Sequence, residues 1–238
     1  MSTHQSPLTT HGFFVTGTDT GVGKTVIACA LLHAMVAAGF KAVGMKPVAA
    51  GAEAGAGGLV HDDVERLTGA SNIAAPRELV NPYCFGMPIA PHIAAAQAGV
   101  VIDLTHIERN FRALAGLADA VVVEGVGGFR VPLGPGTDTA QLAGQLGLPV
   151  ILVVGMRLGC LNHALLTTDA IAHQGLRLAG WIANHIDPDM TAADENVEAL
   201  AARLPARLIA RVRFMPEPDD AAIGRALDAA VLQWRTRA

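Results

Sequence analysis

A short apolar segment near the start of the chain runs directly into a glycine-spaced turn that ends on Lys-Thr. The apolar segment covers residues 13–15, and residues 17–25 read GTDTGVGKT. Such a turn leaves main-chain N–H groups unpaired at the start of a helix, where the helix dipole adds positive potential. The order of strand, turn and helix therefore predicts a phosphate-binding loop, with Lys24 reaching the β- and γ-phosphates and the Thr25 hydroxyl facing Mg²⁺.

The first glycine of this loop stands one position early. Counting back from Gly23, the common pattern has a glycine at position 18, where this chain has Thr18 and carries Gly17 just before it. The alternative interpretation is a glycine-rich turn that only begins a helix. Asp19 is as compatible with a turn-forming role as with a catalytic one.

The composition suits buried strands between alanine-rich helices. The 238 residues are 51% hydrophobic and 4% aromatic, with a formal net charge of −4 and scattered lysines and arginines, so neither nucleic acid nor a membrane is an expected partner. We expect residues 1–12 to form a loose tail rather than a signal peptide. Cys29, Cys84 and Cys160 lack metal-ligand spacing, which favours reduced thiols in a cytoplasmic protein.

Strand–loop–helix units repeat along the rest of the chain. A second strand is predicted at residues 41–45, and later ones at 120–123, 149–154, 178–183 and 208–212, separated by helices. This alternation predicts an α/β fold: a doubly wound, mostly parallel sheet with helices on both faces, in a single domain over residues 1–238.

Local patterns set further expectations. Residues 26–38 predict a helix that stops at Gly39, and residues 49–58 predict a mobile loop because they are rich in Gly and Ala. Asp62 and Asp63 are expected to cap a short helix, Pro91 to begin another, and Asp103 to cap a third.

Polar side chains fall at the predicted ends of several strands. Lys46, Glu124 and Asn184 share the sheet edge with the phosphate-binding loop, and ligands bind at this edge in parallel sheets. Taken singly, the three side chains could be a solvated lysine, a hydrogen-bond acceptor and an ordinary turn residue. Together, Thr25, Glu124 and one of Asp62 and Asp63 offer oxygens to Mg²⁺, and Lys24 and Lys46 can neutralise charge on a transferring phosphoryl group.

A second helix N-terminus follows the predicted strand at 149–154. Residues 159–162 read GCLN before an apolar helix, so this turn can hold an anion such as a carboxylate, although plain capping by Asn162 is an alternative. His92, His163 and His185 lack the close spacing of zinc ligands, which favours structural or solvated histidines.

These segments together resemble the dethiobiotin synthetase family. The matching motifs are VTGTDTGVGKT at 15–25, KPV at 46–48, NPY at 81–83 with PH at 91–92, VEGVGG at 123–128, LPVILVV at 148–154 followed by LGCLNH at 158–163, and AGWIAN at 179–184. The match runs in order through about residue 184.

The resemblance implies a ligase of biotin biosynthesis that joins CO₂ to 7,8-diaminononanoate with MgATP. One amine takes up CO₂ to give a carbamate, a carbamate oxygen attacks the γ-phosphate to give a mixed anhydride, and the second amine displaces phosphate as the ring closes. It also implies a homodimer in which the partner subunit's 159–162 turn holds the substrate carboxylate.

The resemblance assigns a role to each site residue. Lys46 and Lys24 would be catalytic, and Thr25, Asp63 and Glu124 would serve Mg²⁺. The substrate would meet Lys46, Ala50, Gly159, Cys160, Leu161 and Asn162. The ATP-binding residues would be Gly21, Val22, Gly23, Lys24, Thr25, Val26, Asp63, Glu124, Gly125, Val126, Gly127, Asn184 and His185.

The chain departs from the family pattern at several positions. Ala50 stands where the family usually has Ser or Thr, Gln141 replaces a frequent Asp, and residues 212–215 replace an Ile-Pro segment beside the adenine. The alternative function is a nucleotide-switched partitioning ATPase on the same fold, but those proteins usually carry a second lysine early in the loop. Amidotransferase-type synthetases need a glutaminase region for which the chain has no room.

Overall fold

The computed structural model describes residues 11–227. Its strands are β1 (His11–Gly17), β2 (Ala42–Met45), β3 (Val48–Ala50), β4 (Glu53–Gly55), β5 (Gly58–Val60), β6 (Tyr83–Phe85), β7 (Ala120–Glu124), β8 (Pro132–Gly134), β9 (Thr137–Asp138), β10 (Val150–Met156), β11 (Leu178–His185) and β12 (Leu208–Val212). Its helices are α1 (Lys24–Ala37), α2 (Asp62–Ala70), α3 (Arg77–Val80), α4 (Pro91–Gln97), α5 (Leu104–Leu117), α6 (Thr139–Leu146), α7 (Cys160–His173), α8 (Ala193–Ala201) and α9 (Asp220–Ala226).

A six-stranded sheet organises the molecule. Its strand order is β12-β11-β10-β1-β7-β2, and the paired strands run parallel, with β1 between β10 and β7. Parallel pairing sends all the carboxyl ends of these strands to one edge. The phosphate-binding loop and Lys46 therefore follow their strands at the same sheet edge at which Glu124 and Asn184 lie in the last residues of β7 and β11.

Both faces of this sheet are covered, which explains its nearly continuous apolar strands. Along β1, Phe14 packs in one hydrophobic cluster, which includes Ile107 of α5. Its neighbours Phe13 and Val15 pack in a second cluster, on the side of Ile27 in α1. Since successive side chains of a strand point to opposite faces, a strand between two helical layers must be apolar at every position.

Several local expectations are confirmed. Pro91 is the first residue of α4, and the Asp103 carboxylate caps α5 by accepting from the Thr105 N–H at 2.8 Å. Gly39 follows the end of α1 with φ +86°. No helix within residues 11–227 is both long and apolar enough to cross a lipid bilayer.

Other expectations are wrong in detail. Strand β1 begins at His11, so residues 11 and 12 do not belong to the expected tail, whose remainder lies outside the described residues. The expected loop at 49–58 contains the end of β3 and an antiparallel hairpin of β4 and β5. Helix α2 is capped by His61, and Asp62 and Asp63 lie in its first turn. Short strands in Gly- and Ala-rich segments carry no apolar alternation, so periodicity could not reveal them.

Candidate active site

The phosphate-binding loop connects β1 to the first turn of α1. Gly23 caps the helix with φ +88°, and no side chain bonds to the free N–H groups there. A Cβ atom on Gly23 would lie 2.2 Å from Asn184 Nδ2. Glycine is thus required here both by the left-handed backbone and by the close approach of β11.

Three contacts within the chain hold groups of the loop in place. The Lys24 ammonium donates to the Asp19 carbonyl oxygen at 2.9 Å, and the Arg157 guanidinium pairs with the Asp19 carboxylate. Asn184 donates from Nδ2 to the Val22 carbonyl oxygen at 2.8 Å. The sequence-predicted residues Gly21 to Val26 therefore form the end of the loop and the first residues of α1. Contacts from β11 and from the segment after β10 hold this loop in place.

A buried cluster of two carboxylates, an ammonium and a hydroxyl lies beside this loop. Lys46 Nζ lies 2.5 Å from Glu124 Oε1 and 2.7 Å from Asp63 Oδ2. The Thr25 hydroxyl lies 2.8 Å from Asp63 Oδ1 and 3.0 Å from Glu124 Oε1. The structure thus brings together the residue after β2 and residues of α1, α2 and β7, which the sequence separates by up to 99 positions. Asp63, and not Asp62, is the acid in contact.

Charge and burial oppose each other in this cluster. Burial by itself would lower the pKa of Lys46, but the carboxylates of Glu124 and Asp63 outweigh it and hold that pKa above its usual value. Burial raises the pKa of Glu124 despite the neighbouring Lys46. Burial also acts to raise the pKa of Asp63, but Lys46 and the Thr25 hydroxyl hold it below its usual range. Lys46 is therefore charged at neutral pH, with its charge shared between two carboxylates.

The pKa of Lys24, unlike that of Lys46, is lowered by its surroundings. Burial, followed by repulsion from the charge of Lys46, lowers the pKa of Lys24 from 10.5 to about 8. Its ammonium has a carbonyl partner in the Asp19 oxygen instead of a carboxylate within hydrogen-bonding distance. A phosphate in the loop would supply the missing counter-charge.

The cluster offers the oxygens that Mg²⁺ prefers. Glu124 Oε2 is buried and has no hydrogen-bond partner among the described residues. The Thr25 hydroxyl contacts both the other oxygen of this carboxylate and the carboxylate of Asp63. Hydroxyl and carboxylate oxygens are typical magnesium ligands, usually completed by water and phosphate. In the described part of the chain, no three His, Cys, Asp or Glu side chains group as metal ligands.

A cleft opens next to the phosphate-binding loop on the β11 side. Its volume is about 230 Å³, and its walls include Gly23, Val26, Asn184, His185 and residues 212–215. The segment that departs from the family's Ile-Pro pattern therefore still borders this cleft, with Phe214 and Met215 in its wall. The resemblance had placed residues 212–215 beside the adenine, and the structure puts two of their side chains in the wall of this cleft.

The turn at 159–162 lies after β10 on the same sheet edge. Helix α7 begins at Cys160 and is capped by Gly159, with φ +94° and no side-chain hydrogen bond. Asn162 is thus the third helical residue and not the cap, which contradicts the capping alternative. Arg157, two residues before this turn, forms an ion pair with Asp19 of the phosphate-binding loop.

The other predicted residues lie around the cluster. Ala50 ends β3 and is half-buried, and its carbonyl oxygen lies 3.2 Å from His61 Nε2. The Gly125 carbonyl oxygen accepts from Lys46 Nζ at 3.3 Å. Gly127 has φ +63°, and Val126 lies between these two glycines in the loop that leaves β7.

Sequence comparison with known proteins finds relatives over most of the chain. The family described as AAA domain matches residues 11–222. The ATP-dependent dethiobiotin synthetase BioD of Aromatoleum aromaticum is 57% identical over 215 residues, which cover 90% of this chain and 96% of that protein. The protein of the same name from Janthinobacterium sp. is 53% identical, and the alignment covers 94% of this chain and 96% of that protein. The chain belongs to the dethiobiotin synthetase family.

Solved structures of lower similarity show the fold. The septum site-determining protein MinD of Pyrococcus horikoshii, solved with Mg-ADP, has a TM-score of 0.56 at 18% identity, covering 87% of this chain and 82% of that one. MinD of Aquifex aeolicus has a TM-score of 0.53 at 17% identity, and the superposition covers 93% of this chain and 89% of that one. The P-loop NTPase-like α/β fold predicted for this dethiobiotin synthetase family member is thus confirmed. The identity to MinD is too low to favour the partitioning ATPase alternative.

Two residues acquire roles that sequence reasoning did not give them. Asn81 of the family's NPY motif is buried and donates from Nδ2 to the carbonyl oxygens of Lys46, at 2.6 Å, and Tyr83, at 3.0 Å. Gln141 completes a capping box at the start of α6, where its side chain and the Asp138 carboxylate each accept from the other's main-chain N–H. Asn81 therefore positions the backbone of Lys46, and the Gln141 departure is accounted for by helix capping.

Proposed function

We propose that this member of the family catalyses the MgATP-dependent carboxylation and ring closure of 7,8-diaminononanoate to give dethiobiotin, ADP and phosphate. The observation that carries the proposal is the buried ammonium of Lys46, held by Glu124 and Asp63 beside the phosphate-binding loop. A fixed positive charge at that place suits a reaction in which negative charge passes from a carbamate to a phosphoryl group.

Phosphoryl transfer needs little covalent help from the protein and much positioning. The N–H groups of residues 21–25 would bind the triphosphate, and Lys24 would leave the Asp19 carbonyl for a phosphate oxygen. Lys46 would contact both the carbamate and the γ-phosphate and stabilise the charge that develops between them. The carbamate oxygen attacks phosphorus and ADP leaves. The second amine then attacks the carbonyl carbon of the anhydride and phosphate leaves.

We assign the Mg²⁺ site to Thr25, Asp63 and Glu124. When bound, Mg²⁺ would neutralise part of the triphosphate charge. The unpartnered Oε2 atom of Glu124 supports this assignment, because a buried carboxylate oxygen is rarely left without a partner. Lys46 would then keep the remaining carboxylate charge balanced.

The cleft beside Asn184 would hold adenine. Asn184 already uses its Nδ2 atom for the Val22 carbonyl oxygen, so its Oδ1 atom is the group available to accept from the amino group of adenine. Val26, His185 and residues 212–215 would form the walls around the base.

We further propose a cytoplasmic homodimer whose two sites are each completed by the other subunit. Leu158 and Leu166, at the turn and on α7, are 95% and 60% exposed. Large apolar side chains exposed beside a helix N-terminus with a glycine cap are consistent with a covered surface. Leu161 and Asn162 would then present their N–H groups to the substrate carboxylate of the partner site, together with Gly159 and Cys160.

The reaction itself tests the proposed function. The protein is incubated with diaminononanoate, bicarbonate and MgATP, and dethiobiotin is measured by mass spectrometry while ADP and phosphate are measured in parallel. We expect one ADP and one phosphate for each dethiobiotin. Hydrolysis of ATP without product, and without dependence on the diamine, would contradict the proposal.

Mixing two inactive variants tests the shared site. Lys46→Ala removes the catalytic ammonium from its own site, and Asn162→Glu places a negative charge where the partner's substrate carboxylate would lie. A mixed dimer contains one site with Lys46 intact and an unaltered turn opposite it. After random exchange of subunits, about a quarter of wild-type activity should return. No recovery despite demonstrated exchange would show that each chain uses its own turn.

A further inference from the structure

We propose that His61 is a positioning residue that links the substrate-side segment at Ala50 to the magnesium-side carboxylate of Asp63. This inference rests on the roles proposed above for Ala50 and Asp63. It concerns a residue that does not touch the reacting groups and that the sequence patterns did not single out.

The first half of the link is a helix cap. His61 precedes α2, and its Nδ1 atom accepts from the Asp63 main-chain N–H at 3.2 Å. The same residue's carbonyl oxygen accepts from the N–H groups of Val64 and Glu65 at 3.0 and 3.1 Å. The first turn of α2, and with it the carboxylate of Asp63, is therefore set by the position of His61.

The second half of the link is the other ring nitrogen. His61 Nε2 lies 3.2 Å from the Ala50 carbonyl oxygen. Since Nδ1 accepts a hydrogen bond, the ring proton belongs on Nε2, which donates to Ala50. A single imidazole thus spans two main-chain segments.

The geometry explains why such a link is useful here. The hairpin of β4 and β5 separates Ala50 from His61 in the chain, and all six of its strand residues are exposed. On the β5 side of the hairpin, Arg77 of α3 donates to the Leu59 carbonyl oxygen at 3.2 Å. Just before β4, the N–H groups of Gly51 and Ala52 donate to the Phe85 carbonyl oxygen at 2.9 and 3.0 Å. The two ends of the hairpin are anchored on different elements, and His61 joins them directly. Ala50 lacks the hydroxyl that the family usually has at this position, so main-chain position is what this segment can contribute.

Two substitutions separate the two hydrogen bonds. Serine is a good N-cap, so His61→Ser keeps an acceptor for the Asp63 N–H but is too short to reach the Ala50 carbonyl oxygen. We expect the KM for the diamine to rise roughly fivefold in this variant. The affinity for MgADP, measured by calorimetry, and the Tm should stay near wild type. His61→Ala removes both bonds, so the KM should rise similarly and MgADP affinity should fall roughly threefold to fivefold.

Matched controls separate this link from simple helix capping and from failure of the proposed site. Asp103 caps α5 through the same bond to the N–H two residues on. Asp103→Ala should therefore lower the Tm and leave both the KM for the diamine and the affinity for MgADP unchanged. Asp63→Asn should lose MgADP affinity together with turnover.

The outcomes are distinct. An unchanged KM for the diamine in His61→Ser, or identical effects of His61→Ala and Asp103→Ala, would overturn the link while leaving the proposed function intact. Full MgADP affinity in Asp63→Asn would overturn the assignment of Asp63, and the role of His61 would fall with it.

Discussion

At the scale of single residues, the two roles proposed for Lys46, in catalysis and in stability, can be measured separately. Its side chain is 3% exposed and lies between carboxylates of which the one on Glu124 is 1% exposed. Without the ammonium, two buried or half-buried negative charges would face each other. The lysine is therefore expected to stabilise the fold as well as the transition state.

We expect Lys46→Ala to lower turnover roughly 10²-fold or more and the free energy of unfolding by about 3 kcal/mol or more. Kinetic assays and urea denaturation at pH 8 measure the two effects. The double variant Lys46→Ala with Glu124→Gln is the control. It removes the uncompensated charge and should recover stability but not turnover. Near-normal turnover in Lys46→Ala would show that Lys46 has a structural role only.

The loss of stability in Lys46→Ala is expected to depend on pH. Burial already raises the pKa of Glu124, and loss of Lys46 raises it further. The folded state then binds more protons than the unfolded state, so stability should decrease as pH rises from 4.5 towards the raised pKa. Denaturation series at pH 5.5 and pH 8 should therefore show the larger deficit at pH 8. A constant deficit would show that Glu124 is not the group that is destabilised.

Lys24 gives a second prediction at this scale. Because burial lowers its pKa to about 8, the ammonium loses its proton above that pH in the free protein. Since phosphate binding needs the charged form, MgADP affinity should fall about tenfold for each pH unit well above pH 8. Calorimetry in buffers of different ionisation enthalpy should show proton uptake on binding at pH 9. An affinity that is flat between pH 7 and 9.5 would mean that Lys24 stays charged.

At the scale of elements, the junction of β1, its loop and α1 depends on Gly23. The predicted glycine-spaced turn exists, but the sequence could not show that the second glycine of GVG is closed in by β11. The reason is that Asn184 reaches the loop only through the parallel packing of the sheet, since it stands 162 residues after its partner Val22 in the chain.

We expect Gly23→Ala to abolish measurable MgADP binding at millimolar concentrations, because the new Cβ would collide with the Asn184 amide. Gly39→Ala is a control at the opposite end of the same helix. Gly39 also has positive φ, +86°, but open space lies where its Cβ would be. Both variants should lose about 1–2 kcal/mol of stability from the left-handed backbone, and only Gly23→Ala should lose binding. Normal binding in Gly23→Ala would show that the loop is less constrained than the contact implies.

At the scale of the whole molecule, the proposed dimer surface can be tested away from the chemistry. Glutamate at both Leu158 and Leu166 should dissociate the dimer and lower activity at least about tenfold at micromolar protein. Light scattering after gel filtration measures the mass. Val101, 81% exposed between α4 and α5, provides the control Val101→Glu, which should change neither property. A monomeric wild-type protein with full activity would exclude the shared site.

The sequence alone determined the order along the chain of the six strands of the central sheet, the glycine-rich loop before Lys24 and the family. These follow from local patterns: apolar runs bounded by turns, glycines before Lys24 and Thr25, and motifs of fixed spacing. It also identified Lys46, Glu124 and Asn184, because each stands directly after a predicted strand and parallel strands end at one edge.

Tertiary structure decided what depends on contacts between distant segments. Asp62 and Asp63 are neighbours in the first turn of α2, and only the structure shows that the Asp63 side chain is the one that contacts Thr25 and Lys46. It also shows that His61, and not an aspartate, is the cap of α2. It showed that Asn81 holds the Lys46 backbone. None of these has a sequence period or spacing, since each arises where elements from separate parts of the chain pack together.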